Sequence, residues 1–151
     1  MTNRDITFEV MMLLNDMDDV WSLNECNFNA LALNIFQYQA KNNKIFAKYL
    51  DLIGKSTESI SHYSEIPFLP ISLFKTHDVK TGKFETSHVF ESSTTTGTIP
   101  SRHFIKNIND YHQNCLKIIE QKIGSLSDYE VFGLLPNYLE RKNSSLISMV
   151  K

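Results

Sequence analysis

Two prolines three residues apart, Pro67 and Pro70, lie inside the apolar run Ile66-Pro67-Phe68-Leu69-Pro70-Ile71. Proline has no backbone N–H, and its ring collides with the preceding helical turn, so this run is barred from a helix interior and from a central strand. It predicts an extended stretch packed on a core, followed by a turn of helix from Pro70 to Phe74. The prolines therefore divide the chain into a helical stretch before them and shorter extended pieces after them.

Before the prolines, Val10, Leu14, Met17 and Trp21 recur at three- and four-residue steps, which marks one face of a helix from Ile6 to about Met17, with Asp5 as its cap. Ser22-Leu23-Asn24-Glu25 has the Ser-x-x-Glu form in which hydroxyl and carboxylate satisfy each other's exposed amides, so a second helix is expected to start there. Phe28, Leu31, Ala32, Ile35, Phe36, Phe46, Tyr49, Leu50 and Ile53 keep helical spacing up to Gly54, interrupted by the polar Lys41-Asn42-Asn43-Lys44. Gly54 is the expected stop, because glycine takes the left-handed conformation that ends helices.

After the prolines, Thr81-Gly82 signals a turn between short extended pieces, and His88-Val89-Phe90 carries β-favouring residues. Asn107 or Asn109 can cap a helix whose apolar stripe is Ile108, Tyr111, Cys115, Ile118 and Ile119, with Gly124 ending it. Asp128 to Leu135 reads as a strand closed by Pro136, and Leu139 to Met149 as a further short helix. The order of elements points to an α/β fold in a single domain over residues 1–151, with a helical pair in 1–54 and an α/β part in 55–151.

Composition excludes several classes. The chain is 42% hydrophobic and 11% aromatic, which is globular, and its net charge of −2 comes without any Lys/Arg block, so the footprint of a nucleic-acid binder is missing. No apolar run reaches the ~18 residues of a membrane span, and the N-terminus has no signal-peptide core, so a cytoplasmic protein is expected. Cys26 and Cys115 stand far apart without CxxC spacing and read as reduced core thiols. The five histidines show no metal-ligand spacing, so no metal site is expected from protein side chains.

The stretch with the most chemical content is Ser92-Ser93-Thr94-Thr95-Thr96-Gly97-Thr98, six hydroxyl side chains around one glycine. Such a loop suits phosphate, because backbone amides can turn toward an anion while the hydroxyls add donors. An ordinary solvated turn has the same composition. The stretch is neither a Gly-Lys-Ser/Thr phosphate loop nor a G-x-G-x-x-G dinucleotide fingerprint. Read as a loop leaving a strand and leading to a helix, it takes the position where open α/β sheets bind ligands.

With Pro100 and Arg102 following, the loop resembles the Ser/Thr/Gly-rich phosphate loop of adenylate-forming enzymes. Further ordered blocks are Ile66 to His77, Phe90-Glu91-Ser92-Ser93, Ile99-Pro100-Ser101-Arg102-His103, and Gly133 to Arg141 continuing through Ser144-Ser145-Leu146. Together they resemble the acyl-protein synthetase family, the fatty-acid-activating subunit of the reductase complex in bacterial bioluminescence, over about residues 26 to 150. The resemblance implies a helix-rich N-terminal part of an adenylate-forming-enzyme-like domain. It also implies ATP and Mg2+ as cofactors, a fatty or other carboxylic acid activated as acyl-AMP, and transfer of the acyl group to an enzyme cysteine.

By this resemblance Ser92, Ser93, Thr94, Thr95, Thr96, Gly97 and Arg102 would hold the nucleotide phosphates. The family loop reads Ser-Ser-Gly-Thr-Thr-Gly, and Thr94 stands at its first glycine, so weakened nucleotide affinity is expected. The family's C-terminal part and its acceptor cysteine have no counterpart here. An N-terminal portion is therefore expected, partnered by the missing C-terminal half or a reductase-type subunit. The alternative is a non-catalytic relative that acts as an interaction or structural module.

Overall fold

Asn43 breaks the long helical pattern in two. The computed structural model describes residues 24–92, 99–133 and 143–150. These fall into two compact units, one drawn from Met1–Pro70 with Lys80–Gly82, the other from Ile71–Val79 with Lys83–Lys151. The first predicted helix, Ile6 to Met17, lies outside the described residues, as do Ser22 and Leu23.

In the first unit, helix α1 (Glu25–Asn42) starts at Asn24. The Asn24 side chain accepts from the Cys26 amide at 2.9 Å, while Asn27 Oδ1 accepts from the Asn24 amide at 2.8 Å. The reciprocal cap expected from Ser22 and Glu25 is thus built by two asparagines, two residues later. The Asn43 amide donates to the Gln39 carbonyl at 2.8 Å, and its Oδ1 accepts from the Ile45 and Phe46 amides, both at 3.1 Å, to open α2 (Lys44–Leu52). Asn43 is buried, and its Nδ2 donates to the Thr81 hydroxyl at 3.3 Å, so the side-chain amide has partners on both sides.

Gly54 ends α2 as expected, at φ +65°. The Lys55 amide donates to the Leu50 carbonyl and the Gly54 amide to that of Asp51, the paired bonds that satisfy the last carbonyls of a helix. Phe36, Phe46, Leu50 and Ile60 form the buried core of this unit. The Phe36 and Phe46 rings meet edge to face at 5.9 Å. Ile66 and Leu69 pack against that core, so the proline-bounded run lies on it as an extended stretch. Short 3-10 turns occur at Thr57–Ser59 and Tyr63–Glu65.

In the second unit a helical turn, α3 (Leu73–Thr76), follows the prolines, a little later than Pro70 to Phe74. Thr81-Gly82, which belongs to the first unit, forms a bend with no ladder on either side, so the short extended pieces expected there are not strands. Strand β1 (His88–Glu91) pairs antiparallel with β2 (Arg102–Ile105), in the register His88 to Ile105, Val89 to Phe104, Phe90 to His103 and Glu91 to Arg102. Facing residues share a side of the ladder, which sets the buried Phe90 and Ile105 on one face with His88 and His103.

Helix α4 (Ile108–Ile123) is capped by Asn107, whose side chain accepts from the Asn109 amide at 3.0 Å, and it stops at Gly124. Its half-buried stripe runs through Ile108, Tyr111, Cys115 and Ile119, while Ile118, expected on that stripe, is exposed. Helix α5 (Ser145–Val150) buries Ile147 and is shorter than the predicted Leu139 to Met149. Residues 139–142 lie outside the described residues.

Three further expectations change. Asp128 ends a 3-10 turn, Leu126–Asp128, and Tyr129 to Gly133 form no strand; Val131 and Phe132 are exposed, so the alternation that favours a strand has no surface to bury here. Leu134 and Leu135 lie outside the described residues. Cys26 is exposed in the first turn of α1 and is not a core thiol, whereas Cys115 is half-buried. Helices and strands occur together, as an α/β reading expects, but the described sheet is a two-stranded antiparallel pair and not a parallel βα arrangement. Among the described residues no helix is long and apolar enough to cross a membrane.

Candidate functional site

Ser92 and Ser101 fasten the two ends of the hydroxyl-rich loop to each other. The Ser92 amide donates to the Ser101 carbonyl at 3.0 Å, and the Ser101 amide donates to Ser92 Oγ at 2.9 Å. This closes the β1–β2 connection one residue beyond the ladder pair Glu91 and Arg102. The loop therefore leaves one strand and returns into a second, rather than leading to a helix. Phe104 and Ile105 supply the β-favouring side chains that make the returning segment a strand. Residues Ser93, Thr94, Thr95, Thr96 and Gly97 lie outside the described residues, so of the seven expected phosphate contacts the structure locates Ser92 and Arg102.

Those two residues line one cavity of about 380 Å³ in the second unit. Glu91, Ser92, Ser101, Arg102 and His103 bring polar groups to it, while Ile71, Phe74, Phe90 and Tyr111 bring apolar surface. The Phe90 and Tyr111 rings lie 4.8 Å apart. Burial pushes the Tyr111 phenol above its ordinary pKa; the neighbouring Cys115 thiol adds to this, and a hydrogen bond involving Ser145 opposes it. The phenol therefore stays a neutral hydrogen-bonding group at the apolar side of the cavity.

Arg102 is paired. Its Nη2 lies 2.6 Å from Asp78 Oδ1, and the guanidinium carbon stands 5.7 Å from the Phe104 ring centroid. Glu91, directly across the ladder, turns its carboxylate to Asn143 Nδ2 at 3.3 Å, and its amide donates to the Asn143 carbonyl at 2.9 Å. Beside the cavity, His112 Nε2 and Ser148 Oγ are 2.7 Å apart.

No protein-family model, curated protein or solved structure matches the chain. What the cavity can do is set by its side chains. The serine hydroxyls offer hydrogen-bond donors to a polar group, Glu91 adds a carboxylate-bearing residue to the same lining, and the apolar wall suits a hydrocarbon or aromatic portion of the same ligand. Among the described residues no group of three or more His, Cys, Asp or Glu side chains is placed to hold a metal ion.

Sequence reasoning missed Ser101, His103, Tyr111 and Asp78 as members or neighbours of this site. The hairpin brings Ser101 and His103 to it, and no local spacing announces an antiparallel return through Arg102-His103-Phe104-Ile105. Tyr111 was legible as one residue of a helix stripe, and only the packing of α4 against β1 gives it a cavity to face.

Proposed function

We propose that this chain carries the nucleotide-loop part of an ATP-dependent acyl-protein synthetase, acting on a fatty or other carboxylic acid. The observation that carries the reading is the serine clamp. Ser92 and Ser101 hold together the ends of the hydroxyl-rich loop, and both line a cavity with Arg102 on its polar side and Ile71, Phe74 and Phe90 on its apolar side. Fastening the two ends at Ser92 and Ser101 lowers the ordering cost of closing the connection around a phosphate.

In this reading ATP supplies the activation of the carboxylate as acyl-AMP, with pyrophosphate leaving. The chain's own residues bind and orient. Arg102 and the serine donors meet negative charge, and the apolar wall excludes water from the hydrocarbon next to the reacting carboxylate. Ser93, Thr94, Thr95, Thr96 and Gly97 enter the reading from the sequence alone. The same reading puts the protein in the cytoplasm, where ATP is at hand and Cys26 and Cys115 stay reduced.

The test is titration calorimetry of the full chain with Mg·ATP, wild type beside Thr94→Gly. Weak binding that tightens on restoring the glycine supports the reading; no heat from either protein overturns it. A second reading, a non-catalytic interaction module, is favoured by the exposure of Ile71, Ile99, Val131 and Phe132 in the second unit. Concentration-dependent self-association without any nucleotide binding would support that alternative.

A further inference from the structure

Phe28 and Tyr63 are 44% and 43% exposed, and their rings meet at a centroid distance of 5.0 Å with planes 84° apart. Perpendicular planes form a corner with a ring face on either wall. With Asn24 and Glu25 these two residues line a cavity of about 480 Å³ in the first unit. Glu25, Phe28 and Asn29 stand at i, i+3 and i+4 of α1, so they share one face of that helix. Asn29 Oδ1 accepts from the Tyr63 amide at 2.8 Å, which fastens the 3-10 turn Tyr63–Glu65 to the same face. The turn is braced from within, because the Glu65 carboxylate accepts from the Ser61 and His62 amides and His62 Nδ1 accepts from the Ser64 amide. Both aromatic residues are therefore held by their backbones while their rings stay open to solvent.

Charge at this corner is negative. Glu65 is engaged in its turn, whereas the Glu25 carboxylate takes part in no ion pair among the described residues. The N-terminus of α1 carries a partial charge of opposite sign, roughly half a unit, which a full carboxylate outweighs, and the Cys26 amide is already taken by Asn24 Oδ1. Aromatic faces attract cations through the ring quadrupole. A methylated ammonium has no N–H to satisfy, so two rings and one carboxylate suit it better than a primary ammonium with three donors. We propose that Glu25, Phe28 and Tyr63 bind a trimethylammonium group, as carried by choline or by a trimethylated lysine. The site is independent of the acyl chemistry proposed for the second unit.

The experiment is NMR titration of the full chain with choline, with Nε-trimethyllysine, with ethanolamine, and with 3,3-dimethylbutan-1-ol, the uncharged carbon isostere of choline. Choline is expected to shift the ring resonances of Phe28 and Tyr63. The isostere should bind about four- to twenty-fivefold more weakly, the product of a two- to fivefold contribution from each ring, and ethanolamine should also bind more weakly. Tyr63→Phe keeps the ring and should stay within about twofold of wild type, while Tyr63→Leu and Phe28→Leu should each lose about two- to fivefold. Glu25→Gln should weaken binding and flatten its dependence on salt.

Tighter binding of choline than of trimethyllysine, or the reverse, supports the site and names the source of the group. An isostere that binds as tightly as choline overturns the cation site and marks the corner as merely apolar; this comparison uses wild-type protein and does not depend on any variant folding. Equal losses in Tyr63→Phe and Tyr63→Leu also overturn it. No shift of either ring with choline or trimethyllysine removes the site altogether.

Discussion

Ser92 and Ser101 hold each other through two hydrogen bonds of 3.0 and 2.9 Å, one between backbone groups and one from the Ser101 amide to the Ser92 hydroxyl oxygen. Ser92→Ala removes the second bond and keeps the first. Since the pair is exposed, water replaces the lost acceptor and global stability should fall by no more than about 1 kcal/mol. The sharper effect is local. Amide exchange at Ser101, followed by NMR, should speed up in Ser92→Ala and stay slow in Ser92→Thr, which retains a hydroxyl.

Phe36 is the most buried side chain among the described residues of the first unit, at 2% exposure, and its ring meets that of Phe46. Truncation to alanine removes a large apolar group and leaves a cavity, at a cost of about 3–5 kcal/mol. Leu52, 76% exposed in the last turn of α2, is the matched control, and its truncation should change stability by at most about 0.5 kcal/mol. Urea denaturation followed by circular dichroism checks both, and equal midpoints for the two variants would contradict this core.

Gly124 ends α4 at φ +87° and ψ −167°, a region that only glycine occupies without strain. A Cβ there would meet nothing within 4 Å, so Gly124→Ala isolates backbone strain from collision. Its expected cost is about 1–3 kcal/mol. D-alanine introduced by chemical ligation should recover most of the loss, since its mirror-image preference matches this conformation. A similar loss for both enantiomers would show that space, and not the dihedral, is limiting.

The Glu65 carboxylate accepts from the Ser61 amide at 2.9 Å and the His62 amide at 3.1 Å, which holds its pKa below the usual carboxylate range. The sign follows from linkage. A carboxyl whose folded value lies below its unfolded value of about 4.3 contributes stability that is complete above that value and is lost as pH falls through the folded one. The protection of the His62 amide, its exchange rate measured against the intrinsic rate at each pH, should fall as the solution is acidified through that window. Glu65→Gln should remove the pH dependence, and a titration of the Glu65 side chain by NMR at the ordinary value would contradict it.

Local punctuation was the readable part of this chain. Pro67 and Pro70 announced an extended stretch, Gly54 and Gly124 the ends of two helices, and Asn107 a cap, because each acts through its own backbone chemistry within a few residues. Long-range pairing was not readable. Strand β2 is only Arg102–Ile105, with a cation and a histidine in half its positions, and what makes it a strand is a partner some ten residues earlier in sequence. Ladder pairing also decides where Ser101 and His103 sit, so the cavity lay beyond any reading of spacing. Tyr129 to Gly133 failed in the opposite sense: its apolar residues suggested a strand, and in the fold they find no partner strand among the described residues.

Asn43 terminates one helix with its amide and starts the next with its side chain, leaving no spare residue between α1 and α2. An α-helix turns by about 100° per residue. One amino acid inserted at this joint would therefore swing Phe46 and Leu50 away from Phe36 by more than a quarter of a revolution, and a deletion would do the same in the other direction. The spacing between Phe36 and Phe46 behaves as a gear ratio: side chains can be exchanged around it, but the tooth count cannot change.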